Sequence, residues 1–342
     1  MAIAAAMRSL LLFLLILALV PVTYLREPMP GAIVDWRLHR IDLMPALRER
    51  GLPRKMGEVE LIGAWQLTGR SSGFGNYSTL GRFADGTMVS LGDKGGILWF
   101  TPVDGKGPWR TRIGHVFVGD WRRVHTESDA ESAIIDPGTQ RLLVAYEGSK
   151  SFYSMNPDLS GRVTIDQPEL TKWPPNMGPE SMVRLADGRV LVIAEANSGG
   201  YWNRHSHPAM LFPGIPRPNE VPAHVTVEMP EGFRPTDATL LPDGRILVLG
   251  RKVTLLGFFS TISIADPSTL RDGGVLQTRQ IARIGDSRIR ENYEGMTAVK
   301  ERDGSITLWL ISDNNLMVWV QRTLMLKLRL DPQTAAGTGT RP

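Results

Sequence analysis

The chain has 342 residues, 42% hydrophobic and 22% charged, with 35 Gly and 24 Pro, the make-up of a turn-rich globular protein with ample apolar content for a core. It has no cysteine, which excludes disulfides, thiolate chemistry, Cys-ligated zinc and a lipoprotein anchor. The formal charge of +4 lies entirely in residues 1–56, where eight Lys/Arg meet four acids, and the balanced remainder, 31 of each sign, argues against nucleic-acid binding.

Residues 1–25, MAIAAAMRSLLLFLLILALVPVTYL, carry a lone Arg8 and then an apolar stretch from Leu10 to Val20. This reads as a signal peptide or membrane anchor, and the lack of a small-x-small site in VPVTYLREP favours an uncleaved anchor. The segment implies an exported chain, periplasmic, membrane-anchored or secreted, with the membrane as a partner. Residues 26–56 read as a basic linker whose charge suits an anionic membrane surface.

From residue 57 onward one pattern recurs. YSTLGRFADGTMVSLGDKG (77–95), ESAIIDPGTQRLLVAYEGS (131–149), ESMVRLADGRVLVIAEANS (180–198), DATLLPDGRILVLGRKV (237–253) and NYEGMTAVKERDGSITLWLISDNN (292–315) each read as a β-hairpin. The turn dipeptides are Asp85-Gly86, Pro137-Gly138, Asp187-Gly188, Asp243-Gly244 and Asp303-Gly304, spaced by 52, 50, 56 and 60 residues. Asp-Gly suits a two-residue turn that needs positive φ. Room for two more strands follows each hairpin, and four strands per repeat predicts an all-β, five-bladed β-propeller over 57–331. EVELIGAWQLT (58–68) is placed to supply the outer strand of the last blade and close the ring, hiding the sheet edges. A sixth blade built from residues 26–56 is the alternative. Residues 332–342 read as a disordered tail.

The start of the first strand and the end of the second share one face of a blade, beside the central channel. The first position holds Ser78, Glu131, Glu180, Asp237 and Glu294; the second holds Asp93, Glu147, Glu195, Arg251 and Asp313. Eight of these ten are carboxylates. Unit charges about 7 Å apart repel by roughly 2 kcal/mol at an effective dielectric of 20, so such a ring needs bound cations, Arg/Lys partners or raised pKa values. Oxygen ligands without Cys or a consistent His point to Ca²⁺ as the cation. Lys94, Lys150, Arg251, Arg70 and Arg322 are the counter-ions at hand, and in the plainer reading the acids cap strand ends and pair with them.

DAESAIIDP, GPESMVRLADGRVLVIAEAN, PTDATLLPDGRILVLGR and YEGM…LISDNN…QRTL resemble, in order, the phytase-like domain of proteins labelled "esterase-like activity of phytase", over roughly residues 58–331. The resemblance implies an exported propeller hydrolase related to calcium-dependent phytases, whose own ligand spacings are not matched here. The phytase-like pattern itself fits at Glu131, Glu180, Asp237, Glu294, Asp313, Asn314 and Arg322, and departs at Gly250, where relatives carry Glu before the Arg. The implied reading is a metal-assisted hydrolase of a small anionic phosphate or carboxylate ester. Glu131, Glu180, Asp237, Glu294 and Asp313 would form the catalytic set, and Glu131, Glu180, Glu294 and Asp313 would bridge Ca²⁺. Lys94, Arg251, Asn314 and Arg322 would hold the substrate. The alternative is a non-catalytic propeller that binds a ligand or envelope partner with the same face.

Two rival motifs are weaker. GRSSG (69–73) satisfies G-x-S-x-G but runs into a blade strand rather than a helix, which leaves no nucleophile elbow for Ser71 or Ser72. His205 and His207 sit in a Pro-rich connection without a third ligand nearby, and read as surface loop; Tyr201, Trp202 and Arg204 beside them are candidates to line a pocket. His125, just ahead of Glu131, is the histidine nearest the predicted face.

Overall fold

The computed structural model describes Arg8, Leu10, 12–14, Glu27, 32–105, 109–116, 129–146, Ser149, 151–174, 177–197, 204–317 and 320–336. Five antiparallel blades follow the five repeats. Blade I is Gly81–Arg82, Met88–Leu91, Gly96–Phe100 and Thr111–His115; blade II is Ala130–Ile135, Leu142–Tyr146, Ser151–Met155 and Val163–Asp166. Blade III is Ser181–Arg184, Val190–Ile193, Ser206–Phe212 and Ala223–Glu228, and blade IV is Arg234–Leu240, Ile246–Thr254, Gly257–Ala265 and Arg279–Ile284. Blade V takes Asn292–Lys300, Ile306–Asp313 and Thr323–Leu330 from the end of the chain and Val59–Thr68 from its beginning. Thr323–Leu330 pairs antiparallel with Val59–Thr68, so the ring closes by hydrogen bonds between the two ends of the sequence.

The described part of residues 26–56 builds no sixth blade and is not a loose linker. Val34–Asp35 adds an edge strand to blade I and His39–Asp42 adds one to blade V. Met44–Glu49 forms a short helix, with Pro45 in its first turn and Met44 and Leu47 buried. The reason is edge protection: an outer strand left open presents unpaired N–H and C=O groups, and this segment covers two of them. The predicted tail also begins folded, because Asp331 caps the turn Pro332–Ala335 by accepting from the Gln333 N–H at 2.9 Å. Residues 337–342 lie outside the described residues.

The turns differ in detail from a two-residue hairpin. In blades I, III, IV and V they are three-residue loops in which Gly86, Gly188, Gly244 and Gly304 take φ between 85° and 92°. The Gly N–H donates to the carbonyl three residues back, as in Gly86 to Phe83 at 2.9 Å, and the preceding Asp accepts from the N–H two residues on, as in Asp85 from Thr87 at 2.8 Å. Blade II is longer by design of its Asp136: that carboxylate gathers the N–H groups of Gly138 and Thr139, and the left-handed residue is Gln140 rather than Gly138.

The core is a set of five apolar layers between successive blades. Leu61, Leu249, Leu310 and Leu326 belong to the layer between blades IV and V, and Leu67, Leu98, Ile311 and Met325 to the layer between V and I. The strand Val59–Thr68 therefore packs on both sides while it closes the ring. Leu61 is fully buried. We expect Leu61→Ala to destabilise the whole propeller by about 2–5 kcal/mol in denaturant titration, the range for a buried leucine truncated in a close-packed core. A loss under about 0.5 kcal/mol, typical of surface positions, would mean that closure contributes little.

Candidate functional site

The first and second strands of each blade open at one end of the channel, and their geometry there is set by irregularities in the pairing. In blade V, Tyr293 faces Ser312 and Gly295 faces Ile311, so Glu294 is an extra, bulged residue. The same shift falls at Glu131 in blade II and at Thr236 in blade IV. A bulge bends the strand and re-aims its extra side chain, a common device beside binding sites. In blade III, Glu180 stands just ahead of the strand Ser181–Arg184 and is buried.

Arg251, in the second strand of blade IV three residues before its end, lies among the acids of its neighbours. Its Nη2 donates to Glu195 Oε1 at 3.1 Å; its Nη1 is ion-paired to Glu294 Oε1 and donates to Asn292 Oδ1 at 3.2 Å. Arg234, cross-strand from Arg251, reaches the same Glu195 oxygen at 3.3 Å. Burial works against the charge on Arg251, but Glu294, Glu180 and Glu195 more than offset it and raise its pKa.

The other carboxylates respond in the opposite sense. Asn292 donates its amide to Glu294 Oε1 at 2.9 Å and to Asp313 Oδ2 at 3.4 Å, tying the two acids together. Burial raises Asp313 well above the carboxylate range, and Glu294 and Asp93 push it further. Burial also raises Glu294, against the pull of Arg251 and the Asn292 amide. Asp93 accepts from the Asn76 side chain at 2.6 Å and pairs with Lys94 at 3.5 Å. Asp129 is raised by burial and by Asp93, and shares a hydrogen bond with Glu131.

Of the residues named from sequence, Glu131, Glu180, Glu294, Asp313, Lys94 and Arg251 belong to this mouth, together with Asp93 and Glu195. Asp237 does not. It sits one residue past the bulge at Thr236, level with Ser181 and Ser132, and a slip of one residue turns a strand side chain to the other side. Its carboxyl accepts from the Met296 N–H at 2.6 Å and the Ala238 N–H at 2.8 Å, pinning blades IV and V together, and burial raises its pKa. Asn314 braces loops: its Oδ1 accepts from the N–H of Leu316 at 3.1 Å and of Asn76 at 3.4 Å. Arg322 is committed to Glu291, with its Nε 2.7 Å from Oε1. Glu147, Lys150, His125, Tyr201 and Trp202 lie outside the described residues.

Ser71 has no helix behind it, and its Oγ accepts from the Gly73 N–H at 3.1 Å within the loop. His207 is buried in a strand rather than on a loop, with Nδ1 2.9 Å from the Ala196 carbonyl and Nε2 3.2 Å from that of Phe233. Sequence reading missed Asp129, Asn292 and Arg234. Counting the blade IV register back from its turn sets Pro235 opposite Arg251, and only the bulge at Thr236 brings Arg234 there. Asn292 and Asp129 are hidden in the same way, because the bulges beside them break the alternation that a register count relies on.

Among the described residues no three His, Asp or Glu side chains are grouped so as to hold a metal ion. The guanidinium of Arg251 supplies the positive charge that a cation would otherwise bring to Glu195 and Glu294. Among the described residues, also, no helix is long and apolar enough to cross a membrane.

The family described as "Phytase-like: Esterase-like activity of phytase" matches residues 72–316. No protein of curated function matches the sequence. Similar solved structures include a gluconolactonase from Xanthomonas campestris (12% identity, 80% of this chain and 95% of that one, TM-score 0.38). They also include a PQQ-bound aldose sugar dehydrogenase from Streptomyces coelicolor (10% identity, 81% and 99%, TM-score 0.40). A third is found in a nidogen/laminin complex (10% identity, 86% and 99%, TM-score 0.43).

Asp313 and Glu294 hold protons more firmly in the folded protein than in the unfolded chain. Their contribution to stability is complete below the ordinary carboxylate range and is lost as pH rises through their raised values. The thermal midpoint is therefore expected to decline from mildly acidic toward alkaline pH. Asp313→Asn, similar in shape but without the charge, should flatten that decline. Identical slopes in the two proteins would show that Asp313 is not the group responsible.

Proposed function

The chain belongs to the phytase-like family, and from that premise we propose that it hydrolyses a neutral carboxylic ester at the acidic mouth of its propeller. The observation that carries this reading is the pair Glu294 and Asp313, joined by one Asn292 amide yet held in different environments. Glu294 touches a guanidinium and Asp313 does not, so the negative charge settles on Glu294 and the proton on Asp313. Two carboxyls pushed apart in this way are suited to work as base and acid.

In the proposed reaction Glu294 takes a proton from a water whose oxygen attacks the ester carbonyl carbon. Asp313 gives its proton to the leaving alkoxide as the C–O bond breaks, and the products are an acid and an alcohol. Transfer of the proton from Glu294 back to Asp313 resets the pair. Arg251 keeps 20% of its side-chain surface exposed and stands beside Glu294, where it can meet negative charge developing on the carbonyl oxygen.

The charge of the mouth supports a neutral substrate over a phosphate monoester. Asp93, Asp129, Glu131, Glu180, Glu195, Glu294 and Asp313 face Arg251, Arg234 and Lys94, and a dianion would enter a field of its own sign. Ca²⁺ would relieve that repulsion, but the described residues do not gather the ligands for it, and no step here runs through a metal. A second reading, a propeller that binds a ligand without turnover, is supported by the pairing of Arg251 with both Glu195 and Glu294.

The test uses the full chain with nitrophenyl acyl esters and nitrophenyl phosphate. Turnover is expected with the acyl esters, unaffected by chelator, and Asp313→Asn or Glu294→Gln should lower kcat by about 10²–10⁴-fold, the usual weight of acid–base groups. Preference for the phosphate, or full activity in Asp313→Asn, would overturn the assignment. An absence of turnover on every ester would favour the binding propeller.

A further inference from the structure

We propose that the face bearing the mouth docks on an anionic lipid surface, with two apolar loop tips inserted among the lipids and the carboxylates of the mouth held back below the tips by more than a Debye length, about 8 Å at physiological salt. This does not depend on the bond cleaved at the mouth, and its test reads position rather than activity.

The first tip belongs to blade IV. Its second and third strands, Ile246–Thr254 and Gly257–Ala265, are nine residues each, whereas those of blades I and II are four or five. Arg251 marks the level of the mouth, so the turn beyond it stands roughly 13 Å proud at about 3.3 Å per residue. That turn displays Val253, Leu255 and Leu256 with relative exposures of 66%, 107% and 71%. It is built rather than frayed: Thr254 Oγ1 accepts from the Leu256 N–H at 3.1 Å and bonds the Gly257 carbonyl at 3.0 Å.

The second tip follows Asp313 in blade V and exposes Leu316, Met317 and Val320 by 38%, 52% and 71%. It too is tied, with the Met317 N–H donating to the Asn314 carbonyl at 2.7 Å. Large apolar side chains held out by ordered turns on one face mark an interaction surface. Below the first tip stand Lys252, Arg283 and Arg290, stacked at 5.1–5.9 Å on the rings of Phe233 and Phe259. None of the three is ion-paired to an acid among the described residues, so their charge is available to phosphate headgroups.

What selects a lipid surface as the occupant is where the apolar segment of the chain leads. Leu10, Leu12, Phe13 and Leu14 are helical with 52–63% of their surface exposed. Three consecutive residues span more than half of a helix circumference, so the described residues of this segment do not present a single apolar stripe to a protein core. Glu27 is fastened to the same face as the tips, its N–H bonded to the Arg70 carbonyl at 2.9 Å and its carbonyl to the Ser72 N–H at 2.7 Å. The loop it holds continues to Asn76, which bonds Asp93 in the mouth. Six residues separate Val20 from Glu27, and the seven steps reach at most about 25 Å. A bilayer that takes up the apolar segment therefore lies close to this face.

The chain has no cysteine, so a single introduced one is unique. Leu255→Cys and Met317→Cys, with Arg302→Cys at a turn on the opposite face as control, would each be labelled in the full chain with an environment-sensitive fluorophore. On phosphatidylglycerol vesicles carrying spin-labelled lipid, the probes at 255 and 317 are expected to shift to the blue and be quenched, and the probe at 302 to do neither. Lys252→Gln with Arg283→Gln should lower occupancy of the inserted state by about tenfold or more, since basic side chains near an anionic surface contribute on the order of 1 kcal/mol each. Probes at 255 and 317 as unquenched as the one at 302 would overturn the proposal. So would a blue shift that appears with rising protein concentration without vesicles, which would assign the tips to contact with a second copy.

Discussion

A single guanidinium buried among carboxylates is the constraint around which the mouth is arranged. The propeller brings one pair of strand ends from each blade to a common opening, and four of the five repeats place an acid at the end of the second strand. Blade IV places Arg251 there instead. Glu195 and Glu294 both turn to this guanidinium, which offsets the cost of burying them. Asp313 has no such partner, and burial together with the nearby Glu294 raises its pKa well above the ordinary value. The small residue before Arg251 follows from the same packing. A side chain on Gly250 would meet the Met229 methyl at 2.7 Å and the Arg234 carbonyl at 3.1 Å, so a larger residue beside Arg251 requires Met229 to move and crowds the neighbouring backbone.

The repeat was legible in the sequence because the turns use strong local chemistry. Asp-Gly at nearly regular spacing, flanked by apolar runs, left little besides a propeller, and the closing role of residues 58–68 followed from the missing fourth strand of blade V. The finer register was not legible. A bulge adds one residue without changing composition, so Asp237 reads as the equivalent of Glu294 when it is the equivalent of Gly295. Thr236 holds the bulged position, and Asp237, turned the other way, fastens two blades through backbone N–H groups. Counting along a strand by twos is reliable only until the first bulge, and three of the five blades have one at the mouth.

Charge misled in a different way. Residues 26–56 carry the excess of arginine, and a basic stretch behind an apolar one reads as a linker beside a membrane. Yet an open propeller edge is a stronger requirement than solvation of a few arginines. The segment satisfies it by adding strands to blades I and V and a short helix against the closing strand. Arg37, Arg48, Arg50 and Arg54 remain exposed, which is compatible with both roles. Composition registers the charge but not the hydrogen-bonding demand of a sheet edge elsewhere in the chain.

The two ends of the channel are not equivalent. At the end away from the mouth, the inner strands of all five blades line a cavity of about 380 Å³, walled by Leu80, Ala133, Val183, Ala238 and Met296. Asp237 lies at its boundary with its carboxyl turned onto backbone donors, and the cavity carries Arg82 and Arg184 where the mouth is lined by acids. The two carboxyls joined through one amide, Glu294 and Asp313, stand at the mouth. On the docking proposed above, the mouth also opens toward the lipid headgroups, which would place an amphiphilic ester with its apolar part beside the tips of blades IV and V and its polar part over Arg251. The two proposals then constrain each other: a substrate that prefers water throughout would make the exposed leucines of the blade IV tip a feature without a purpose at this site.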